Sequence, residues 1–289
     1  MRTIKGLYPV RILWLMLICA SHASAGQINH DSPYKDGKAL AQAVYDSPSG
    51  EDASSKVIMQ VDNGNSTKQR LLYSYAKDIG DGERWTLLRF IKPNDVANTG
   101  LLTADYKGDD SDQWLYLPAL DRVRRIASSR KGGRFVGSDF YYEDLSSREV
   151  SMDDHTIIGE DKVGGASCTL LESIPIERKN SVYKKRVSCI HPKILIPLRI
   201  DYYENDLEHP SKRLQARKIK RVQGYWTVFD STMYNLKRGS STKLVTLAIR
   251  YDQGIPENLF SQRGLSDDSR EIPYRPENEL TQGKTDETH

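Results

Sequence analysis

Nine runs of strand length leave this chain few architectures to choose from. They are residues 56–61 (KVIMQV), 69–76 (QRLLYSYA), 84–91 (RWTLLRFI), 113–117 (QWLYL), 122–126 (RVRRI), 197–203 (PLRIDYY), 214–222 (LQARKIKRV), 226–234 (WTVFDSTMY) and 243–251 (KLVTLAIRY). Each is rich in β-branched and aromatic residues, and Gly, Asn, Asp or Pro separates most of them. The runs follow one another at hairpin spacing, so the expected fold is mainly β, a large antiparallel sheet with some helix. Helical pattern is sparse. Residues 36–45 (DGKALAQAVY) place Leu40, Ala43 and Val44 on one face behind a possible Asp36 cap. Residues 138–147 (SDFYYEDLSS) read as a second, short helix carrying Phe140 and Leu145 as apolar anchors. So few helices leave one sheet face without an obvious cover. A sheet curving under a partial helical lid would enclose an apolar cavity suited to a ligand.

The two ends are expected to stand outside that sheet. Arg2, Lys5 and Arg11 precede an apolar run of nine, residues 12–20 (ILWLMLICA), and Ala23-Ser24-Ala25 supplies small residues for cleavage. This pattern predicts a signal peptide over residues 1–25, a mature start at Gly26 and a periplasmic location. Cys19 lacks the small residues before it that a lipoprotein signal needs. Residues 26–265 are expected to form one domain, and the polar residues 266–289 a flexible tail. Residues 47–55 (SPSGEDASS) read as a flexible connection. Cleavage also changes the charge. The whole chain has 42 Lys+Arg against 39 Asp+Glu, and the three bases of residues 1–25 account for the excess. The formally neutral remainder gives no reason to expect a nucleic-acid partner.

Two cysteines follow the leader, Cys168 and Cys189. Folding residues 168–189 (CTLLESIPIERKNSVYKKRVSC) back around Arg178-Lys179 sets Cys168 opposite Cys189, Leu170 opposite Val187 and Glu172 opposite Lys185. One register then yields a disulfide, an apolar pair and an opposite-charge pair. Redox or zinc chemistry would need a CxxC or more ligands.

Catalytic motifs are missing. The chain has no GxSxG, no HExxH and no glycine-rich phosphate loop ahead of a helix. Residues 135–155 (FVGSDFYYEDLSSREVSMDDH) crowd carboxylates around one histidine. Asp153-Asp154-His155 alternate in direction on a strand, however, and are expected as solvated turn residues rather than a metal site. Asp139 and Glu143 on one helix face would repel without a cation. A hydrolase built on this stretch is the weakest reading, and no enzyme activity, cofactor or metal is expected. The basic residues 122–134 (RVRRIASSRKGGR) and 212–221 (KRLQARKIKR) suggest a solvated sheet face, with acidic lipid headgroups or a membrane protein as the other options.

Four ordered blocks carry a family resemblance: residues 90–106 (FIKPNDVANTGLLTADY), 113–126 (QWLYLPALDRVRRI), 133–145 (GRFVGSDFYYEDL) and 229–265 (FDSTMYNLKRGSSTKLVTLAIRYDQGIPENLFSQRGL). They resemble the periplasmic outer-membrane lipoprotein-sorting superfamily, and within it the LolA-like branch, over about residues 36–265. The resemblance implies an incomplete β-barrel, a curved antiparallel sheet closed by a few short helices around a cavity for an acyl chain. It places Phe140, Tyr141 and Leu145 in the lid. Alternate strand residues would line the cavity: Val57, Met59, Val61, Trp85, Leu87, Trp114 and Tyr116 or their neighbours, and Phe229, with the concave face left open by the sequence. The implied function is a non-enzymatic carrier that binds a lipid or lipidated protein and moves it toward the outer membrane. Its expected partners are the acyl chain, an inner-membrane transporter (RND-type) and an outer-membrane acceptor. The alternative is a lipid-sensing or scaffold subunit docked on such a transporter. The chain departs from the lipoprotein carrier in its greater length, its disulfide-ready hairpin and its C-terminal extension.

Overall fold

The computed structural model describes residues 33–80, 82–108 and 110–277. The expected signal peptide lies outside the described residues, as does the end of the expected tail from residue 278. Helix α1 (Gly37–Tyr45) forms where its pattern predicts, and the Asp36 carboxylate caps it by accepting from the Ala39 N–H at 2.8 Å. Strands β1 (Asp52–Asp62), β2 (Thr67–Gly80), β3 (Glu83–Lys92), β4 (Gly100–Asp105), β5 (Asp112–Leu117) and β6 (Arg122–Arg125) follow. After a long connection come β7 (Asp153–Val163), β8 (Ala166–Pro175), β9 (Lys185–Ile190), β10 (Pro197–Tyr203), β11 (Lys212–Val222), β12 (Tyr225–Asn235) and β13 (Ser240–Tyr251). The nine expected runs fall in strands, with Ile126 one residue beyond β6. Strands β4 and β7 are additions, and the supposed connection over residues 47–55 already enters β1 at Asp52.

All thirteen strands join one antiparallel sheet, in the order β6-β5-β4-β3-β2-β1-β13-β12-β11-β10-β9-β8-β7. The chain starts in the middle, steps outward to the β6 edge, crosses to the far edge at β7 and steps back until β13 pairs with β1. The crossover, residues 126–152, therefore has to travel from edge to edge over one face.

Its contacts show that the sheet curls around it. The Tyr142 carbonyl accepts from Gln113 on β5 at 2.9 Å, while Asp144 is bound by Lys212 on β11. Those strands are seven places apart, roughly 33 Å in a flat sheet. Tyr142 and Asp144 can be at most about 7 Å apart. Even outstretched side chains do not close that gap, so the sheet wraps the crossover. It stays open, because β6 and β7 do not pair.

Period-two alternation then sorts the side chains. On the inner face Val57, Met59, Val61, Leu72, Phe90 and Leu101 pack with Phe135 of the crossover. On the outer face Tyr75, Leu87, Leu102 and Tyr116 are covered by Ile255, Leu259, Phe260 and Leu265. These last residues belong to the segment after β13, which holds helix α2 (Gln262–Ser266) and a 3₁₀ run at Asp268–Tyr274. The expectation of a loose tail from residue 266 therefore fails for its first part. Glu271 is fully buried against Arg89 on β3, at 3.2 Å. The remaining Arg89 donors reach the carbonyls of Leu265 at 2.7 Å, Gly264 at 3.3 Å and Asn98 at 3.0 Å. Gly100 makes room for this cluster, since a Cβ there would lie 2.8 Å from the Arg89 guanidinium. Helix α1 covers the inner face at the other end, where Leu40 and Ala41 meet Leu171 and Ile190.

Two further expectations need correcting. Residues 138–147 are not a helix. The crossover makes separate 3₁₀ turns at Phe135–Gly137 and Glu143–Leu145, because Asp139, Glu143 and Asp144 are drawn to β13, to the β8–β9 loop and to β11. The β8–β9 register is also shifted by two, with Leu170 opposite Cys189 and Glu172 opposite Val187. The Cys168–Cys189 disulfide and the Glu172–Lys185 pair (3.5 Å) survive as diagonal contacts. A long loop between β8 and β9, tied to the crossover, replaces the tight turn at Arg178-Lys179.

Candidate functional site

The inner face and the crossover above it form the candidate site, and the carboxylates of residues 135–155 decide how the two are joined. Asp139 is fully buried. It accepts from the hydroxyls of Ser240 (2.7 Å) and Thr242 (2.8 Å) on β13, and its own N–H donates back to Thr242 Oγ1 at 2.9 Å. Glu143 accepts from the Val182 N–H at 2.7 Å and from the Ser181 hydroxyl, which fixes the β8–β9 loop. Asp153 is held by Arg148 at 2.8 Å and by Arg186 on β9.

Asp144 makes the densest of these contacts. It accepts from Tyr141 N–H and from the Tyr183 hydroxyl, both at 2.7 Å, and from Lys212 Nζ. Lys212 Nζ also donates to the Tyr183 hydroxyl at 2.9 Å and sits 3.6 Å from the Tyr141 ring centroid. Both charged side chains are out of solvent. Burial lowers the Lys212 pKa while Asp144 opposes the shift, and burial raises that of Tyr183. Lys212 is thus a buried cation at the start of β11. It is not part of a solvated basic face, as the sequence pattern suggested.

His155 and its neighbours differ from the expected solvated turn. They begin β7, where His155 Nδ1 lies 2.9 Å from Ser173 Oγ and Nε2 lies 3.0 Å from the Val150 carbonyl. Burial lowers its pKa. Among the described residues no three His, Cys, Asp or Glu side chains converge as metal ligands would. This stretch is a row of latches with an aromatic underside. Phe140 packs with Tyr183, Tyr202 and Met233, and Tyr141 and Leu145 border the same cluster.

The expected lining residues divide between the two faces. Val57, Met59 and Val61 are on the inner face, in one cluster with Phe135 and Leu145. Trp85, Leu87, Trp114 and Tyr116 lie on the outer face beneath the C-terminal segment. Phe229 is buried on β12, with Lys220 Nζ 6.0 Å from its ring centroid. A cleft of about 580 Å³ opens at the β5–β6 end, lined by Leu115, Leu117, Ile126 and Tyr142 together with Arg124, Arg125 and Arg130. Its leucines are the sequence neighbours of Trp114 and Tyr116, on the face of β5 that alternation alone leaves open.

Comparisons with known proteins agree with this geometry. Residues 82–267 match a family described as "uncharacterized protein". No curated protein matches the chain. A solved domain from Vibrio parahaemolyticus, provisionally described as outer membrane lipoprotein-sorting, is 32% identical with a TM-score of 0.76, over 80% of this chain and 98% of its own. A DUF1329 family protein from Desulfovibrio piger is 31% identical with a TM-score of 0.75, over 79% and 97%. A LolA superfamily protein from Nitrosomonas europaea shares the fold at 14% identity, with a TM-score of 0.60 over 78% and 96%. The chain belongs to the family of the first two of these proteins, the lipoprotein-sorting-like domain and the DUF1329 protein, and shares its fold with the LolA superfamily protein.

Proposed function

We propose that the protein is a non-enzymatic periplasmic carrier that takes a lipid, or the acyl chain of a lipidated protein, onto its inner face and moves it toward the outer membrane. One observation carries the reading. The curled sheet turns an apolar face inward, and what covers that face is a crossover fastened by discrete polar latches. An acyl chain in water costs about 0.8 kcal/mol per exposed methylene, so a carrier needs a lined space under a cover that can lift. Val57, Met59 and Val61 form the floor of that space, and Phe140, Tyr141 and Leu145 form its cover. Trp85, Leu87, Trp114 and Tyr116 serve the outer face. The Vibrio parahaemolyticus relative described by lipoprotein sorting supports this role. Among the described residues no helix is long and apolar enough to cross a membrane.

The test is native mass spectrometry of protein purified from the periplasm. Bound lipid, lost when Leu145 and Val57 are replaced by polar residues in a folded variant, supports the carrier. Protein that is consistently free of lipid overturns it. Exposed Ile158, Ile174 and Ile176 at the β7–β8 edge favour a second reading, an accessory subunit docked on an inner-membrane lipid transporter. Retention of a transporter in pull-downs with no lipid turnover would favour docking.

A further inference from the structure

The cleft at the β5–β6 end combines an apolar floor with unbalanced charge. Leu115 pairs with Arg124 and Leu117 with Arg122, so those two arginines stand on the same face as the leucines. Arg130 adds a third guanidinium from the start of the crossover. Arg125 also borders the cleft, but it pairs in register with Trp114 of the outer face and its charge is already balanced by Asp112. Arg122, Arg124 and Arg130 have no ion pair among the described residues, and the lining of the cleft includes no carboxylate. Like charges side by side on one sheet face repel, and an anion between them relieves that repulsion. The volume, about 580 Å³, is within the range of ligand-binding clefts. Tyr142 closes the cleft on the crossover side and links it to the inner-face cluster through Phe135, whose ring centroid is 6.0 Å away.

We propose that this cleft holds the headgroup end of one anionic lipid molecule. Arg124 and Arg130, with Arg122 beside them, face its phosphate or carboxylate. The first part of its chain lies on Leu115, Leu117 and Tyr142. The inference rests on the carrier reading and adds a selectivity to it, anionic over neutral and zwitterionic headgroups.

The mature protein is incubated with vesicles of phosphatidylglycerol or of phosphatidylcholine, separated from them by gel filtration, and weighed by native mass spectrometry. The expected result is retention of phosphatidylglycerol over phosphatidylcholine by about tenfold or more, the effect of one or two charge-assisted hydrogen bonds. In Arg124→Gln/Arg130→Gln the preference disappears while phosphatidylcholine retention is unchanged, which also shows that the variant is folded. Wild type that keeps both lipids equally overturns the headgroup site and leaves the carrier standing. Wild type that keeps neither overturns both. Co-sedimentation with phosphatidylglycerol vesicles, with no lipid left on the separated protein, makes the arginines a membrane-docking surface and overturns the cargo site. An Arg125→Gln control keeps the full preference, and its loss there would likewise place the anion outside this cleft.

Discussion

A carboxylate cut off from water has to be paired or protonated, and Asp144 is paired with Lys212. Removing one partner of such a pair leaves an uncompensated buried charge, typically at a cost of about 3–5 kcal/mol. Lys212→Met is therefore expected to lower unfolding stability by roughly 3 kcal/mol in urea titration, and Asp144→Asn/Lys212→Met by less than the sum of the two single changes. Additive costs would show that the two side chains act independently. Asp105 poses the opposite problem. One of its carboxylate oxygens is buried with no hydrogen-bond partner, the other accepts from Ser147 N–H at 3.0 Å, and burial pushes its pKa up to about 6. A folded pKa above the unfolded one means that the folded state holds the proton more tightly. This contribution to stability is present below about pH 4 and is lost as the pH rises through 6. Two pKa units correspond to roughly 3 kcal/mol. Asp105→Asn should match wild type near pH 4 and exceed it at pH 8, and parallel stability curves across that range would refute the argument. None of these pairings was legible in the sequence. Asp144 and Lys212 are 68 residues apart, and Asp139 and Thr242 are 103. A local window over residues 135–155 sees six acidic residues without the cations and hydroxyls that meet them.

The strands were legible because each is half-buried on two different surfaces and so carries its own alternation. Residues 100–105 (GLLTAD) were not read as a strand, since β4 is buried on both faces and shows no alternation. The crossover was legible in position and aromatic content but not in form. Its turns are set by the strands it lies on, not by its own helix propensity. The β8–β9 hairpin shows the same dependence. Its cysteine pair and charge pair could be read, but the register could not, because Glu143 on the crossover fixes the loop that sets it. Closing 22 residues by a disulfide contributes roughly 3 kcal/mol on the chain-entropy account. Cys168→Ser/Cys189→Ser should lower stability by about that amount with the same m-value. A change in m instead would show that the hairpin unravels as a separate unit.

The molecule consists of two meanders, β1–β6 and β7–β13, and its ends are exchanged between them. Helix α1, at the start of the chain, packs on β7 and β8, while the segment after β13 packs over β4, β5 and β6. The β1–β13 ladder and the crossover complete the joint. Truncation after Ser266 removes Glu271 and leaves Arg89 buried without its carboxylate, at an expected cost of about 3 kcal/mol or more. Arg89→Met in the truncated chain should recover much of that loss. No recovery would mean that the segment's apolar cover, not the ion pair, holds it in place.

The order in which the strands are made has its own consequence. β1 is the first strand synthesised and β13 the last, yet they are neighbours at the centre of the sheet. Until the final strand emerges, β1 presents an open backbone edge in the middle of what will become the structure, the kind of edge on which foreign strands add. A circular permutant opened within the crossover and joined across the old termini would turn the same thirteen strands into one uninterrupted meander. Its edge would be covered as soon as each hairpin formed. Faster refolding with less aggregation than the native order is what this topology predicts for it.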